Sequence, residues 1–88
     1  LEDKRVGELR VLFFASARQA AGCAEATVAC EGEGIREAVF WERLLADFPS
    51  LASLRGSVRV AKNCEYLAAG EDFRPGDEAA LIPPVSGG

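Results

Sequence analysis

Three kinds of group in this chain could do chemistry: thiols, carboxylates, and an end that reads Val85-Ser86-Gly87-Gly88. The thiols are Cys23, Cys30 and Cys64, an odd number with no C-x-x-C, and the chain has no histidine. That pattern fits neither a disulfide framework nor a zinc site, and it removes imidazole acid–base catalysis. Apart from Lys62 near Cys64, no cationic neighbour lowers a thiol pKa. The cysteines therefore read first as small hydrophobes in a reducing cytoplasm, with a persulfide or redox thiol as the alternative. No pair of carboxylates is set out as an acid–base site.

The glycines are the more informative feature. Gly87 and Gly88 cost conformational entropy and lie where fraying is expected. One reading is an idle terminus. The other makes the Gly88 carboxylate the working group. Glycine leaves that carbonyl unshielded, so a nucleophile or an ATP phosphate can approach it, and the tail can thread a channel too narrow for a β-carbon. Pro83 and Pro84 stiffen its root. The six residues from Pro83 to Gly88 reach at most about 20 Å when extended, enough to carry a carboxylate into another protein's pocket.

Something must hold that tail. The chain has 88 residues, 49% hydrophobic and 27% charged, which suits one small globular domain rather than disorder. Ten basic against 14 acidic residues leave a net charge of −4, which disfavours nucleic acid as a partner and allows docking on a basic protein. The longest uncharged stretch, residues 79–88, is broken by prolines and glycines and is far shorter than the roughly 20 residues of a membrane span. The charged Leu1-Glu-Asp-Lys-Arg5 precedes no signal-type apolar core, so neither export nor a membrane anchor is expected.

The periodicities give the elements. Residues 8–14 (ELRVLFF) alternate as a strand, with Leu9, Val11 and Phe13 on one face and Arg10, Leu12 and Phe14 on the other. Residues 15–21 fit a short helical turn, with Ser16 as a possible cap and Gly22 as its stop. Residues 24–30 read as a second strand, antiparallel to the first, and 31–34 as a turn. In residues 35–48, Ile35, Ala38, Trp41, Leu45 and Phe48 draw the stripe of the main helix, which Pro49 ends. That stripe reads as core rather than as a cofactor pocket. Strands follow at 57–62, 65–67 and 78–82. Between the last two lies a loop holding Phe73 and the turn Arg74-Pro75-Gly76-Asp77, whose proline and glycine suit type II. Pro83-Pro84 stops the last ladder.

This order predicts an α+β domain: a mixed sheet with one main crossing helix, in the ubiquitin-like β-grasp arrangement, with the last strand parallel to the first. The domain spans 8–82, between a loose amino terminus, 1–7, and the tail, 83–88. The expected core is Leu9, Val11, Phe13, Val28, Ile35, Trp41, Leu45, Val58, Val60 and Leu81.

Three segments carry a family resemblance. Pro75-Gly-Asp-Glu78 followed by Ala80-Leu-Ile-Pro-Pro-Val-Ser-Gly-Gly88 resembles the ending of the MoaD-type sulfur carriers, the small subunits of molybdopterin synthase. Val11-Leu-Phe-Phe-Ala15 with Ala17-Arg18 resembles their first strand and turn. Val60-Ala-x-Asn63-x-Glu-Tyr66 resembles their middle hairpin, with Lys62 and Cys64 as departures. The resemblance implies a carrier cycle. An E1-like enzyme, related to ubiquitin-activating enzymes, adenylates the Gly88 carboxylate with ATP. Sulfur then replaces AMP, and the Gly88 thiocarboxylate enters the large synthase subunit to build the molybdopterin dithiolene from cyclic pyranopterin monophosphate. It implies no permanently bound cofactor and no catalysis by the carrier alone. It also implies a cytosolic heterotetramer of two carriers flanking a dimer of large subunits.

Strand parity, with the resemblance, gives a docking patch. With Phe13 and Leu81 facing the core, Phe14 and Ile82 face away and join Tyr66 beside Pro83, Pro84, Val85 and Ser86. The alternatives are a ubiquitin-like protein modifier, a sulfur carrier for thiamine or tRNA thiolation, and a passive interaction module.

Overall fold

The computed structural model describes residues 7–84. Residues 1–6, and with them most of the expected loose amino terminus, lie outside the described residues, as do Val85, Ser86, Gly87 and Gly88 of the tail.

The first strand, β1 (Glu8–Phe13), buries Leu9, Val11 and Phe13 as its alternation requires. It is followed by α1 (Ala15–Ala21), which ends on Gly22 in the left-handed conformation, φ 82°. Ser16 is not its cap. It lies inside the helix, Phe14 holds the N-cap position without a side-chain bond, and Phe14 accordingly leaves the ladder. Strand β2 (Glu25–Ala29) returns antiparallel to β1, pairing Val28 with Leu9 and Glu25 with Leu12.

The main helix is shorter than its sequence pattern. Ile35 belongs to a two-residue strand, β3 (Ile35–Arg36), and α2 runs Glu37–Asp47. Its buried residues are Phe40, Trp41 and Leu44, while Ala38 is exposed and Leu45 only half-buried. The cause is a second ladder. Ile35 pairs with Phe73 in β6 (Asp72–Phe73), where a plain loop was expected. The helix is therefore not phased from Ile35, and Phe40 turns inward to meet the Phe73 ring at 4.8 Å. A side chain on Gly34 would collide with the Phe73 carbonyl oxygen, and its φ of 129° is one that only glycine adopts readily.

After a 3₁₀ segment, Pro49–Leu54, come β4 (Arg59–Lys62), β5 (Glu65–Tyr66) and β7 (Glu78–Ile82). The expected strand at 57–62 starts two residues late, because Ser57 and Val58 donate backbone bonds to Leu54 and close that segment. Val58 is consequently only partly buried. The turn before β7 is type II in form: Asp77 N–H donates to Arg74 O at 3.0 Å across Gly76, φ 93°.

The main sheet has the order β2-β1-β7-β4-β5, with β7 parallel to β1 and the other pairs antiparallel. Helix α2 covers one face, and the core between them includes eight of the ten expected residues, all but Leu45 and Val58. This is the β-grasp arrangement. Among the described residues no helix is long and apolar enough to cross a membrane.

Candidate functional site

The face of the sheet away from α2 is where the candidate site lies. Because β1 and β7 are parallel, their carboxyl ends lie side by side: Phe13 pairs with Leu81, so Phe14, just past β1, and Ile82, the last residue of β7, lie at the same end of the sheet. Chain parity turns Leu81 inward and leaves Ile82 only half-buried. Pro83 then follows Ile82 directly, which fixes the root of the tail beside Phe14.

The third aromatic arrives by the β4–β5 hairpin. Its two central residues, Asn63 and Cys64, have φ of 51° and 74°, as a tight two-residue hairpin with the right twist demands. The turn sets Tyr66 opposite Ala61. Among the described residues Phe14, 47% exposed, and Tyr66, 55% exposed, are the large hydrophobic side chains open to solvent. With Ile82 they line one groove of about 360 Å³, floored by Leu12, Ala61 and Ala80 and edged by Cys64 and Glu78. The expected trio thus comes together on one surface, with half-buried Pro83 and exposed Pro84 at its end.

Two features of this face depend on pairing between strands. The floor is smooth because alanines stand opposite each other, Ala61 against Ala80, leaving room for a partner's side chains. The second is Arg59, whose guanidinium carbon sits 3.8 Å over the Tyr66 ring. Leu12 was legible from the alternation of β1. The Arg59 stack was not, since it requires the hairpin's register.

Electrostatics on this face are mostly settled internally. Arg10 is held by Glu25 at 2.9 Å and Glu78 at 3.5 Å, and the Glu25 bond pushes its already high pKa further up. A second recess, about 890 Å³, lies around Gly32, Lys62, Glu71 and Arg74, and is polar. Its Lys62 is paired with Glu71 at 2.7 Å and donates to Asp72 O at 3.0 Å, and this lysine pulls the Glu71 carboxyl below the usual range.

The thiols separate by burial. Cys30 is fully buried, with Sγ 3.6 Å from Phe73 O, and burial pushes its pKa up, which keeps it a neutral, poorly nucleophilic thiol. Cys23 is half-buried and Cys64 exposed. Among the described residues no cluster of Cys, Asp and Glu is arranged to hold a metal. Among the described residues the candidate site consists of a groove and the root of the tail.

Comparison with known proteins agrees with this architecture. The molybdopterin synthase sulfur carrier subunit of Homo sapiens is 33% identical over 92% of this chain and 94% of its own length. The protein of the same name from Drosophila melanogaster is 37% identical over 98% of this chain and 97% of its own. The crystal structure of SAMP1 from Haloferax volcanii superposes with a TM-score of 0.78 at 31% identity, covering 93% of this chain and all of that one. Residues 11–88, from the middle of β1 through the Gly87-Gly88 end, match the ThiS family, and with that span and these relatives the chain belongs to the ThiS family of ubiquitin-like β-grasp proteins.

Proposed function

We propose that this chain is the sulfur carrier subunit of a molybdopterin synthase, acting as a protein co-substrate rather than as an enzyme by itself. The observation that carries the reading is the placement of the tail root. Parallel β1 and β7 deliver Pro83 to the rim of the groove bearing both exposed aromatics. A partner seated on Phe14, Tyr66 and Ile82 would therefore receive residues 83–88 directly into its own interior. The relatives that carry this name over nearly their whole length support it.

In this reading the Gly88 carboxylate is the reactive group. A carboxylate is a poor electrophile, so an E1-like partner transfers AMP from ATP to one carboxylate oxygen and releases pyrophosphate. A hydrosulfide-level sulfur nucleophile then attacks the acyl carbon; the new C–S bond forms as the C–O bond to AMP breaks, and loss of the S–H proton leaves a thiocarboxylate. Its sulfur is nucleophilic and is protected while the tail is enclosed. In the large synthase subunit the sulfur bonds to a carbon of cyclic pyranopterin monophosphate, water then cleaves the acyl C–S bond and regenerates the Gly88 carboxylate, and a second delivery completes the dithiolene. Acid–base groups belong to the partners, consistent with a carrier that has no histidine. The assembly expected is a cytosolic heterotetramer, two carriers flanking two large subunits.

The test is the intact mass after incubation with an activating enzyme, ATP and a sulfur donor. A gain equal to one oxygen replaced by sulfur, located at Gly88, is the expected result; an unchanged mass overturns the carrier reading. The likeness to SAMP1, a small archaeal modifier protein, favours one second reading, conjugation of Gly88 to lysines. A ladder of covalent adducts on other proteins would support that reading instead.

A further inference from the structure

The docking face carries two arginines in different states. Arg10, at the end away from the tail, is engaged by Glu25 and Glu78. Arg59 stands opposite Ile82 in the β4–β7 register, at the end where the tail begins. Among the described residues it makes no ion pair and no side-chain hydrogen bond. What holds it is Tyr66, with the guanidinium carbon 3.8 Å above the ring centroid.

That stack has a directional consequence. A guanidinium is planar, and its N–H groups lie around the edge of the plane. Tyr66 occupies one face and leaves the edge open. The stack also fixes the side chain in advance, so less freedom is lost when a ligand binds. A partner that covers Phe14, Tyr66 and Ile82 must strip water from Arg59. A cation buried without a counter-charge opposes binding strongly, whereas one met by a well-placed anion does not. A forked row of N–H donors is best matched by a carboxylate.

We infer that Arg59 is the specificity residue of the docking face, held by Tyr66 to receive an Asp or Glu carboxylate of the protein partner that covers the groove. This rests on the reading that the face docks the large synthase subunit. It adds a charged anchor next to the tail root, which fixes the rotation of the carrier on its partner where an apolar groove alone would leave it loose. Arg10 is the internal control: the same residue type on the same face, with its charge already answered.

The experiment is a calorimetric titration of purified large subunit with wild-type carrier, R59Q, R59K and R10Q, each at low and high salt. R59Q is expected to bind about tenfold or more weakly, the range of a hydrogen bond to a charged group, with a shallower dependence on salt. R59K should recover only part of the loss, since it restores charge without the fork. R10Q should stay within about threefold of wild type, as exposed pairs contribute little. Wild-type affinity and salt dependence for R59Q, with Phe14→Ala still weakened, would overturn the assignment and leave the docking reading intact. Equal losses for R59Q and R10Q would overturn it too, as they indicate general steering. Failure of the wild-type carrier to bind at all would overturn both. Repeating the series without Gly87 and Gly88 separates the remaining source of a carboxylate. An undiminished R59Q effect supports the partner's side chain, and its disappearance overturns that in favour of the carrier's own terminus.

Discussion

Asn63 clasps Asp77 across two turns that are far apart in sequence. Its Nδ2 donates to Asp77 Oδ1 at 3.0 Å, its Oδ1 accepts from Glu78 N–H at 2.9 Å, and its own backbone N–H donates to Glu78 O at 2.8 Å. The clasp ties the hairpin that presents Tyr66 to the first residue of β7, the strand that ends at the tail root. Asparagine suits the position because it also tolerates the left-handed backbone there, φ 51°. Asn63→Gly keeps the backbone and loses the clasp, at an expected cost of about 1 kcal/mol. Asn63→Ala should cost roughly 1–2 kcal/mol more, the penalty for a left-handed non-glycine residue. Urea denaturation of the two variants checks this; equal losses would show that the backbone is not the constraint.

The rotated helix makes a second expectation specific. Phe40 is fully buried between Trp41, at 5.8 Å, and Phe73, at 4.8 Å, and Trp41 is 3% exposed. Phe40→Ala and Trp41→Ala should each cost about 3–5 kcal/mol. Ala38, on the exposed side, should accept a polar residue such as glutamine with a change of no more than roughly 0.5 kcal/mol. Native Trp41 fluorescence should be that of a ring shielded from water. A destabilising Ala38→Gln beside a mild Phe40→Ala would mean that the helix is phased from Ile35 after all.

That contrast shows what could be read from the sequence and what could not. β1 and β7 were legible to within a residue because strict alternation and the Pro83-Pro84 stop are local signals. Their parallel pairing followed from element order, and with it the meeting of Phe14 and Ile82. The miss was at residues 35–48. Ile35 fits the helical stripe by spacing, but its pairing with Phe73, 38 positions away, pulls it into a strand, and no local pattern reports that. Ser16 failed as a cap because α1 begins at Ala15, two residues before a Ser16 cap would start it, so the residue directly after β1, Phe14, takes the cap position. In the site, aromatics were found by parity, whereas the Arg59 stack depended on which residues the hairpin turn sets side by side.

Acid sensitivity should centre on Glu31 and Arg43. Arg43 Nη1 and Nη2 donate to both oxygens of Glu31, at 2.6 and 2.9 Å, and Nη1 also donates to Ala29 O, joining α2 to the end of β2. The Arg43 bonds, with a backbone hydrogen bond to the carboxylate, lower the Glu31 pKa from its usual value near 4.5 to about 2. A carboxyl with a depressed folded pKa stabilises the fold fully above its unfolded pKa and loses that contribution as pH falls towards the folded value. Between pH 4.5 and 2, therefore, wild type should lose stability more steeply than Arg43→Gln, in which the largest cause of the shift is removed and only the backbone hydrogen bond to Glu31 still lowers it. Asp77 adds a smaller drop of the same sign: burial pulls its carboxyl up, but bonds from Arg74 N–H and Asn63 bring it net below its usual value. Denaturation midpoints across this range check the slopes; parallel slopes for the two proteins would assign the acid transition elsewhere.

The docking face should be separable from the fold. Phe14 and Tyr66 are about half exposed, so little burial is lost when they are truncated. Phe14→Ala should weaken binding to the large subunit while the free domain melts as wild type does. Replacing Phe14, Tyr66 and Ile82 together should reduce affinity by more than about 100-fold if they form the centre of the interface, where a few buried side chains carry most of the energy. Unchanged affinity for the triple variant would remove this face from the docking surface.

The tail tests the chemistry itself. If Gly88 bears the sulfur, deleting it should abolish single-turnover molybdopterin formation with the purified large subunit. Gly87→Ala tests the channel. One methyl group in a close-packed tunnel must displace wall atoms, at a cost of roughly 1–3 kcal/mol by analogy with overpacked cores. That would appear as about a 5- to 150-fold loss in delivery rate or affinity if the cost falls on the productive complex. Both variants should melt with wild type, since the core is built from residues between Leu9 and Leu81. Product formed by the Gly88-deleted carrier would exclude the thiocarboxylate route and turn attention to a cysteine persulfide. Exposed Cys64 and half-buried Cys23 would then come before Cys30, whose burial keeps its thiol neutral.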